Sequence, residues 1–291
     1  MERLTNISTV RGILSRHGFT FSKALGQNFL INPSVCPRMA DSAVTDDNTG
    51  VLEIGPGIGV LTNELCTRAK KVVAVELDRR LIPVLGETLG EYDNLKVVNA
   101  DVMELDLNKL IAEEFPDMRV AVCANLPYYI TSPILMKLLE DRLPVESITV
   151  MVQKEAALRL CAEEGARESS AITCAVRYYA APELLFHVSA GSFMPAPKVD
   201  SAVIRLTLRE PEYKPLDEKL MFRIIKAAFS QRRKTVLNAI ASGMSLDKRE
   251  LSGILESAGV AETARAEKLT LRDFAQIADA MDAIKKGGND G

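Results

Sequence analysis

The strongest constraint on the fold is a series of short β-rich runs that alternate with helical patterns between residues 50 and 208. The first five runs are apolar nearly throughout, and they span 51–55, 71–77, 95–101, 119–125 and 147–153. Such runs are typical of parallel strands that crossover helices bury on both faces. The carboxyl ends of parallel strands share one edge of the sheet, and ligands bind at that edge in open α/β folds.

After the fifth run the pattern changes. Residues 169–180 are predicted to form a helix, and 183–189 and 201–208 are predicted to form two further strands. The connection between these two strands is proline-rich and too short for a helix, so the strands should pair antiparallel.

A polar, proline-containing stretch at 211–219 predicts a linker, and only helical patterns follow it. We therefore predict two domains. The first spans 1–210 and includes an N-terminal arm, 1–20; the second spans 211–291 and is small and all-helical.

Composition narrows the class of protein. Hydrophobic residues make up 47% and charged residues 26%, as in soluble globular proteins. No apolar run reaches the roughly 18 residues of a membrane helix, and the first residues lack the apolar core of a signal peptide, so we expect a cytoplasmic protein. A monomer is the default expectation. The five cysteines include no CxxC pair, and there are two histidines; we therefore expect reduced core thiols and no metal site.

A glycine loop follows the first run. Gly55, Gly57 and Gly59 lie in EIGPGIGVLT (53–62), where a helix begins. The spacing is GxGxG, so the third glycine of the dinucleotide-binding pattern is missing. Alone, the loop is also compatible with a simple strand-to-helix turn.

Two acidic residues strengthen the prediction of a nucleoside-binding site. Glu76 ends the second run, where a carboxylate can accept both ribose hydroxyls. Asp101 ends the third run and could accept the exocyclic amine of an adenine, although it could also be a helix cap. NAD would fit this pair of acids. The form of the loop and the next strand end favour S-adenosylmethionine.

The fourth run ends in Asn125, Leu126, Pro127 and Tyr128. This tetrapeptide matches a type of motif found in enzymes that methylate the exocyclic amines of bases. The Asn125 oxygen and a backbone carbonyl such as that of Leu126 can accept the two amine hydrogens and direct the nitrogen lone pair toward the methyl group. Pro127 constrains the backbone, and Tyr128 can stack on the base for about 1–3 kcal/mol. The simpler alternative is a proline turn with a core tyrosine.

Asn125 is not a carboxylate, so no strong general base is evident and the proton should leave after methyl transfer. Positioning of the reactants would then be the main contribution to catalysis, and in well-oriented systems it can lower the activation barrier by about 7–11 kcal/mol. The base must also be flipped out of its stack. We predict Phe193 as the wall opposite Tyr128, unless it is a core aromatic. Because Tyr129 directly follows Tyr128, the sequence leaves open which of the two rings stacks on the base.

Together these motifs resemble the ribosomal RNA adenine N6-dimethyltransferase family, and most of all its bacterial 16S members. The matching segments are KALGQNFL (23–30), EIGPGIGVLT (53–62), VELD (75–78), NLPYYI (125–130), VQKE (152–155), FMPAPKVDSAV (193–203) and FSQRRKT (229–235). The resemblance implies a Rossmann-like, seven-stranded class I methyltransferase sheet. It also implies an S-adenosylmethionine site at Asn28, Leu30, Gly55, Gly57, Glu76, Asp101 and Asn125.

The family further implies two methyl transfers to each of two neighbouring adenines near the 3' end of 16S rRNA, in an assembling small (30S) subunit. Arg232, Arg233 and Lys234 then have a role: on a predicted helix, they would point outward and dock rRNA. The alternative is an ordinary solvated face in a chain of net charge −3.

Three rival functions are compatible with parts of this sequence. A 23S rRNA adenine methyltransferase of the antibiotic-resistance type shares the sheet and the NLPY-like motif. A non-catalytic RNA-binding assembly factor could use the same scaffold, although Asn125 and Tyr128 are intact. An NAD-dependent oxidoreductase is disfavoured by the loop and by the absence of an obvious catalytic His or Tyr-Lys pair.

Overall fold

A computed structural model of the chain describes residues 4–20 and 27–287. The strands are β1 (Phe29–Leu30), β2 (Thr49–Ile54), β3 (Lys71–Glu76), β4 (Leu95–Asn99), β5 (Arg119–Asn125), β6 (Ser147–Gln153), β7 (Ala180–Val188), β8 (Phe193–Met194) and β9 (Ser201–Leu208). The α-helices are α1 (Ile7–Arg16), α2 (Val35–Ala43), α3 (Val60–Cys66), α4 (Ile82–Leu89), α5 (Leu107–Glu114), α6 (Thr131–Glu140), α7 (Lys154–Leu160), α8 (Ala171–Tyr179), α9 (Glu218–Phe229), α10 (Val236–Met244), α11 (Lys248–Ser257) and α12 (Leu271–Gly287).

The seven-stranded sheet has the order β4-β3-β2-β5-β6-β9-β7. The five strands from β4 to β6 are parallel, and β9 pairs antiparallel with β6. Arg205 contacts Glu183 at 2.9 Å and Asp200 Oδ1 accepts from Ala190 N at 2.9 Å, so β7 and β9 run in opposite directions as predicted. The predicted α/β fold with a seven-stranded methyltransferase-type sheet is confirmed.

Four of the five apolar runs form buried strands, whereas the third run forms β4 at the edge of the sheet, where no residue is buried, so the predicted burial on both faces is wrong for that run. Every residue of β2 is buried, as is every residue of β3 except Lys71. When both faces of a parallel strand are buried, apolar residues occupy successive positions along it and do not alternate with polar ones. The buried runs therefore predicted the positions of the strands closely.

A second, two-stranded sheet is formed by β1 and β8. Phe29 pairs with Met194 and Leu30 pairs with Phe193 in antiparallel register. Both β1 residues and Phe193 are buried, so this ribbon joins two distant parts of the chain through the core.

The chain forms two compact units. The first contains residues 1–157 and 182–208, and the second contains 158–181 and 209–291. The contiguous division predicted from the sequence, 1–210 and 211–291, thus differs at one segment, because 158–181 belongs with the helical unit. The reason lies in α8: the Tyr178 and Tyr179 hydroxyls donate to Glu218 of α9 at 2.9 and 2.8 Å.

The N-terminal arm contains a helix that the sequence analysis did not predict. Asn6 caps α1 by accepting from Ser8 N, and the helix buries Val10, Ile13 and Leu14. Residues 1–3, residues 21–26 within and before the KALGQNFL motif, and residues 288–291 of the tail lie outside the described residues.

The predicted position of Arg232, Arg233 and Lys234 on a helix is wrong. They lie in the turn between α9 and α10, where all three are exposed. The helix stops before them: Lys234 N donates to Gln231 O at 2.9 Å, and Thr235 then caps α10 by accepting from Asn238 N. A threonine N-cap starts a new helix and so interrupts the continuous helical pattern.

None of the described helices is both long and apolar enough to cross a lipid bilayer. The five cysteines are free, and all except the partly exposed Cys161 are buried.

Candidate active site

One cavity opens at the carboxyl edge of the parallel strands. Its lining includes every residue predicted for the cofactor and the base: Asn28, Leu30, Gly55, Gly57, Glu76, Asp101, Asn125, Leu126, Pro127, Tyr128 and Phe193. These residues come from four strand ends, the segment before β2 and the start of β8. The three predicted RNA-binding cations are not among the lining residues.

The glycine loop folds tightly against β3. Gly55 and Gly57 have φ angles of 69° and 61°, in the left-handed region that favours glycine. Gly55 N donates to Val75 O at 2.9 Å, and Gly57 N donates to Glu76 Oε2 at 3.2 Å. A Cβ atom added at Gly55 would meet no atom within 4 Å, so it would stand in open space. The loop therefore brings bare backbone to the cavity.

Glu76 is the best-held acid of the site. It is 7% exposed, and its Oε1 accepts from Asp78 N at 2.8 Å while its Oε2 accepts from Gly57 N. Burial raises the pKa of this carboxyl, and the backbone N–H groups oppose that rise. A carboxylate has about four acceptor positions, so both oxygens can still accept hydroxyl hydrogens.

Asp101 follows β4 beside Glu76. Asn99 pairs with Glu76 across β3 and β4, and the Asn99 side chain donates to the Glu76 carbonyl at 2.7 Å. One Asp101 oxygen, Oδ1, accepts from Met103 N at 2.8 Å. Asp101 therefore stabilises a local turn, as the alternative interpretation expected, and also lines the cavity.

The Asn-Leu-Pro-Tyr segment leaves the sheet at the end of β5. Asn125 pairs with Met151 of β6, and Leu126 N donates to Met151 O at 3.2 Å. The Pro127 carbonyl accepts from Ile130 N at 3.2 Å and from Thr131 Oγ1 at 3.1 Å. Within the described residues, neither the Asn125 side chain nor the Leu126 carbonyl is engaged in a hydrogen bond. These two groups are available to an amine.

Tyr128, Tyr129 and Phe193 are among the aromatic residues that line the cavity. The Tyr128 phenol lies 2.6 Å from Ser201 Oγ, and burial raises its pKa. Tyr129 is 56% exposed, whereas Phe193 is 3% exposed and belongs to the hydrophobic core. Phe193 thus combines the two interpretations made from the sequence, because it is a core aromatic that also lines the cavity.

Several lining residues were not predicted from the sequence. Leu77 follows Glu76 directly, lines the cavity and is 50% exposed, which is unusual for leucine. Gln27 also lines the cavity and donates to Asp78 Oδ2 at 2.9 Å. Leu77 could have been predicted from its position, because it is an apolar residue directly after an acid that ends a strand.

Glu53 was part of the glycine motif but received no role. It is 1% exposed, and its Oε2 has no hydrogen-bond partner among the described residues. Burial raises its pKa to about 8, and the charge of Glu76 adds to that rise. Within the described part of the chain, no group of three or more His, Cys, Asp or Glu side chains is placed to hold a metal ion.

Comparisons with known proteins agree with this geometry. The family model for ribosomal RNA adenine dimethylase matches residues 18–283. A protein of Alkaliphilus oremlandii named ribosomal RNA small subunit methyltransferase A is 44% identical over 97% of this chain and 99% of its own length. A protein of the same name from Geobacillus thermodenitrificans is 46% identical over 92% and 94%.

Two solved structures are similar over most of the chain. The dimethyladenosine transferase from Plasmodium falciparum has a TM-score of 0.70 at 28% identity and covers 89% of this chain and 98% of its own. The 23S rRNA methyltransferase ErmE has a TM-score of 0.65 at 29% identity and covers 88% and 100%.

The sheet order, the glycine turn and the Asn-Leu-Pro-Tyr strand end define a class I methyltransferase with a Rossmann-like sheet. Within that class, the chain belongs to the ribosomal RNA adenine dimethylase family. It is an enzyme that methylates adenines of ribosomal RNA.

Proposed function

We propose that this protein transfers methyl groups from S-adenosylmethionine to the N6 amines of two adjacent adenosines near the 3' end of 16S rRNA. The substrate would be the small (30S) ribosomal subunit during its biogenesis, and the protein would act in the cytoplasm as a monomer. The observation that carries the proposal is that one and the same cavity is lined by the glycine turn, its acids and the Asn-Leu-Pro-Tyr segment.

The residues of the first half of the cavity fit S-adenosylmethionine. Gly55 leaves open space that a side chain would fill, and both Glu76 oxygens keep acceptor capacity. In the proposal, Glu76 accepts the ribose hydroxyls, Asp101 accepts the adenine amine, and Asn28, Leu30 and Gly57 contact the rest of the molecule. When bound, the cofactor supplies a methyl group activated by a sulfonium.

The residues of the second half hold the acceptor. The Asn125 side-chain oxygen and the Leu126 carbonyl accept the two hydrogens of the adenine amine, which directs its lone pair at the methyl carbon. Tyr128 stacks on one face of the flipped base, and Phe193 borders the other. Stacking of this kind contributes about 1–3 kcal/mol per base and offsets the few kcal/mol of flipping.

The proton of the methylated amine leaves without a dedicated base in this proposal. Three carboxyl groups line the cavity within the described residues, and all belong to the proposed cofactor half: Glu53 lies in β2, Glu76 ends β3 and Asp101 follows β4. The amine becomes acidic only after it has gained the methyl group, so release to solvent is sufficient.

Replacement of Asn125 by alanine tests the chemistry. Loss of one preorganised hydrogen-bonding group typically reduces turnover by about 100-fold or more, so Asn125→Ala should transfer labelled methyl at least about 100-fold more slowly. Asn108→Ala is the matched control, because Asn108 lies on α5 and does not line the cavity. Near-normal methylation by Asn125→Ala would contradict the assignment.

The target follows from where the label is found. Purified, unmethylated small and large subunits should be incubated separately with labelled cofactor, and the modified bases then mapped. We expect label at two adjacent adenosines near the 3' end of 16S rRNA. Label in large-subunit RNA alone would instead assign the activity named for ErmE, to which the fold is also similar.

We also propose that Arg232, Arg233 and Lys234 dock rRNA. Residues 221–240 contain five cationic and no acidic side chains, and these three are exposed on the turn before α10. Each lost phosphate contact should flatten the salt dependence of binding by about 0.7–0.9 log units per log of salt.

The triple alanine variant at 232–234 should therefore bind small subunits more weakly and with a flatter salt slope. A variant with alanine at Lys248, Arg249 and Arg265 removes the same charge from other exposed positions of the helical unit and is the control. Equal slopes in both variants would show that only net charge matters.

A further inference from the structure

The Tyr128 ring, which we propose to stack on the base, makes a hydrogen bond to a residue that was not among the predicted site residues. The Tyr128 phenol oxygen lies 2.6 Å from the hydroxyl oxygen of Ser201. The two residues are far apart in sequence, and Ser201 is fully buried. The serine side chain is therefore shielded from bulk solvent.

Ser201 is a rigid point of attachment. It is the first residue of β9, where it pairs with Gln153 at the end of β6. The preceding residue, Asp200, accepts from Lys154 N at 2.9 Å through its carbonyl and from Ala190 N at 2.9 Å through its carboxylate. Backbone on both sides of Ser201 is thus tied into the sheet.

Tyr128 has no such backbone support. It lies in the connection between β5 and α6 and belongs to no strand ladder. Its side chain has two rotatable bonds, so the direction of the ring depends on what the phenol contacts. Its neighbour Tyr129 is 56% exposed, and its hydroxyl makes no hydrogen bond to the described residues.

We propose that Ser201 is a positioning residue for the methyl transfer: its hydroxyl anchors the Tyr128 ring as the inner wall of the base site and leaves Tyr129 at the rim. This rests on the proposed function, in which Tyr128 stacks on the target adenine. It also assigns the stacking role between the two tyrosines, which the sequence left open. A preorganised wall lowers the ordering cost of binding the base in a reactive position.

The test compares kcat and KM for Ser201→Ala, Tyr128→Phe and the double variant. Each single change removes the same hydrogen bond from one side, and Tyr128→Phe does so without leaving a cavity. We expect kcat to fall about tenfold in either variant, the upper range for one neutral hydrogen bond. The KM for S-adenosylmethionine should be unchanged, because Ser201 does not line the cavity.

The double variant should be no worse than either single variant, since the second change has no hydrogen bond left to remove. Ser147→Ala is the control, because Ser147 is a buried serine at the opposite end of β6 from Gln153. A merely structural role would lower stability in both serine variants and would leave kcat of the folded enzyme intact.

Three outcomes would overturn the proposal. Wild-type kcat in Tyr128→Phe would show that the anchor is unnecessary, whether or not Ser201→Ala folds. Additive losses in the double variant would show that Ser201 acts elsewhere. Full activity in Tyr128→Ala would show that Tyr128 does not stack on the base and so needs no anchor. Failure of the proposed function is distinguishable from all three outcomes, because the wild type would then transfer no methyl group to small-subunit RNA.

Discussion

At the scale of single residues, Glu53 carries an electrostatic cost. Its side chain is buried near the end of β2, and burial raises its pKa from the ordinary 4.5 to about 8. The folded protein therefore holds a proton on Glu53 between these pH values, while the unfolded chain releases it. Because the folded state binds more protons, its stability falls as pH rises through this window.

Glu53→Gln should remove this dependence. The free energy of unfolding of the wild type is expected to fall between pH 5.5 and 7.5 by up to about 1.4 kcal/mol per pH unit from Glu53 alone. The variant should lack that contribution, so it should gain stability relative to the wild type as pH rises. Urea unfolding at both pH values measures the difference.

Glu113→Gln, at an exposed position of α5, is the control and should keep the wild-type dependence. A constant difference between wild type and Glu53→Gln across the range would show that Glu53 is charged in the folded protein.

At the scale of elements, α9 and α10 approach so closely that only glycine fits between them. A Cβ atom at Gly243 would lie 2.8 Å from Ala227 Cβ and 3.1 Å from Ala227 Cα. Since the Ala227 backbone belongs to a helix, the two helices would have to separate. Gly253 of α11 is different, because a Cβ there would meet no atom within 4 Å.

Gly243→Ala should therefore destabilise the protein by about 1–3 kcal/mol, the usual cost of overpacking. Gly253→Ala should stabilise it by up to about 1 kcal/mol, because alanine favours helix over glycine. Thermal unfolding of both variants provides the measurement. The packing argument fails if Gly243→Ala unfolds at or above the temperature of Gly253→Ala.

Elements were predictable where a local pattern was sufficient. The limits of β5, β6 and β9 match the predicted runs, and in β5 and β6 every residue between the two ends is buried. The turn at 230–235 was misassigned as helix because the apolar periodicity continues across it, and only the Thr235 cap interrupts it. Helix α1 was missed because its three buried residues lie among polar ones.

The site was predictable for a related reason. Its residues lie at the ends of consecutive strands, and the geometry of a parallel sheet brings such ends together. Ser201 could not be found in this way, because its contact with Tyr128 depends on the antiparallel register of β6 and β9. Register is a property of two strands and not of either sequence alone.

At the scale of the whole molecule, the chain crosses between its two units more than once. Residues 158–181 belong to the helical unit although they precede the last two long strands of the sheet. Tyr178 and Tyr179 are 2% and 7% exposed, and the Tyr179 ring stacks on Phe222 at a centroid distance of 5.7 Å. The assignment of this segment required contacts that no local pattern contains.

A fragment ending at Leu208 should therefore be poorly soluble. It would retain Tyr178 and Tyr179 without Phe222 and without the Glu218 carboxylate that accepts from both hydroxyls. Size-exclusion chromatography should show aggregates that bind a hydrophobic dye. The same fragment with serine at 178 and 179 should aggregate less, and a monodisperse unmodified fragment would contradict the expectation.

The ribbon of β1 and β8 has a consequence for engineering. Leu30 borders the half of the cavity proposed for the methyl donor, and Phe193, the residue opposite it in the ribbon, borders the half proposed for the base. Making room on one strand alone cannot accommodate a donor analogue with a bulkier alkyl group, because the two paired strands move together. Libraries built to broaden the transferred group should randomise both strands together.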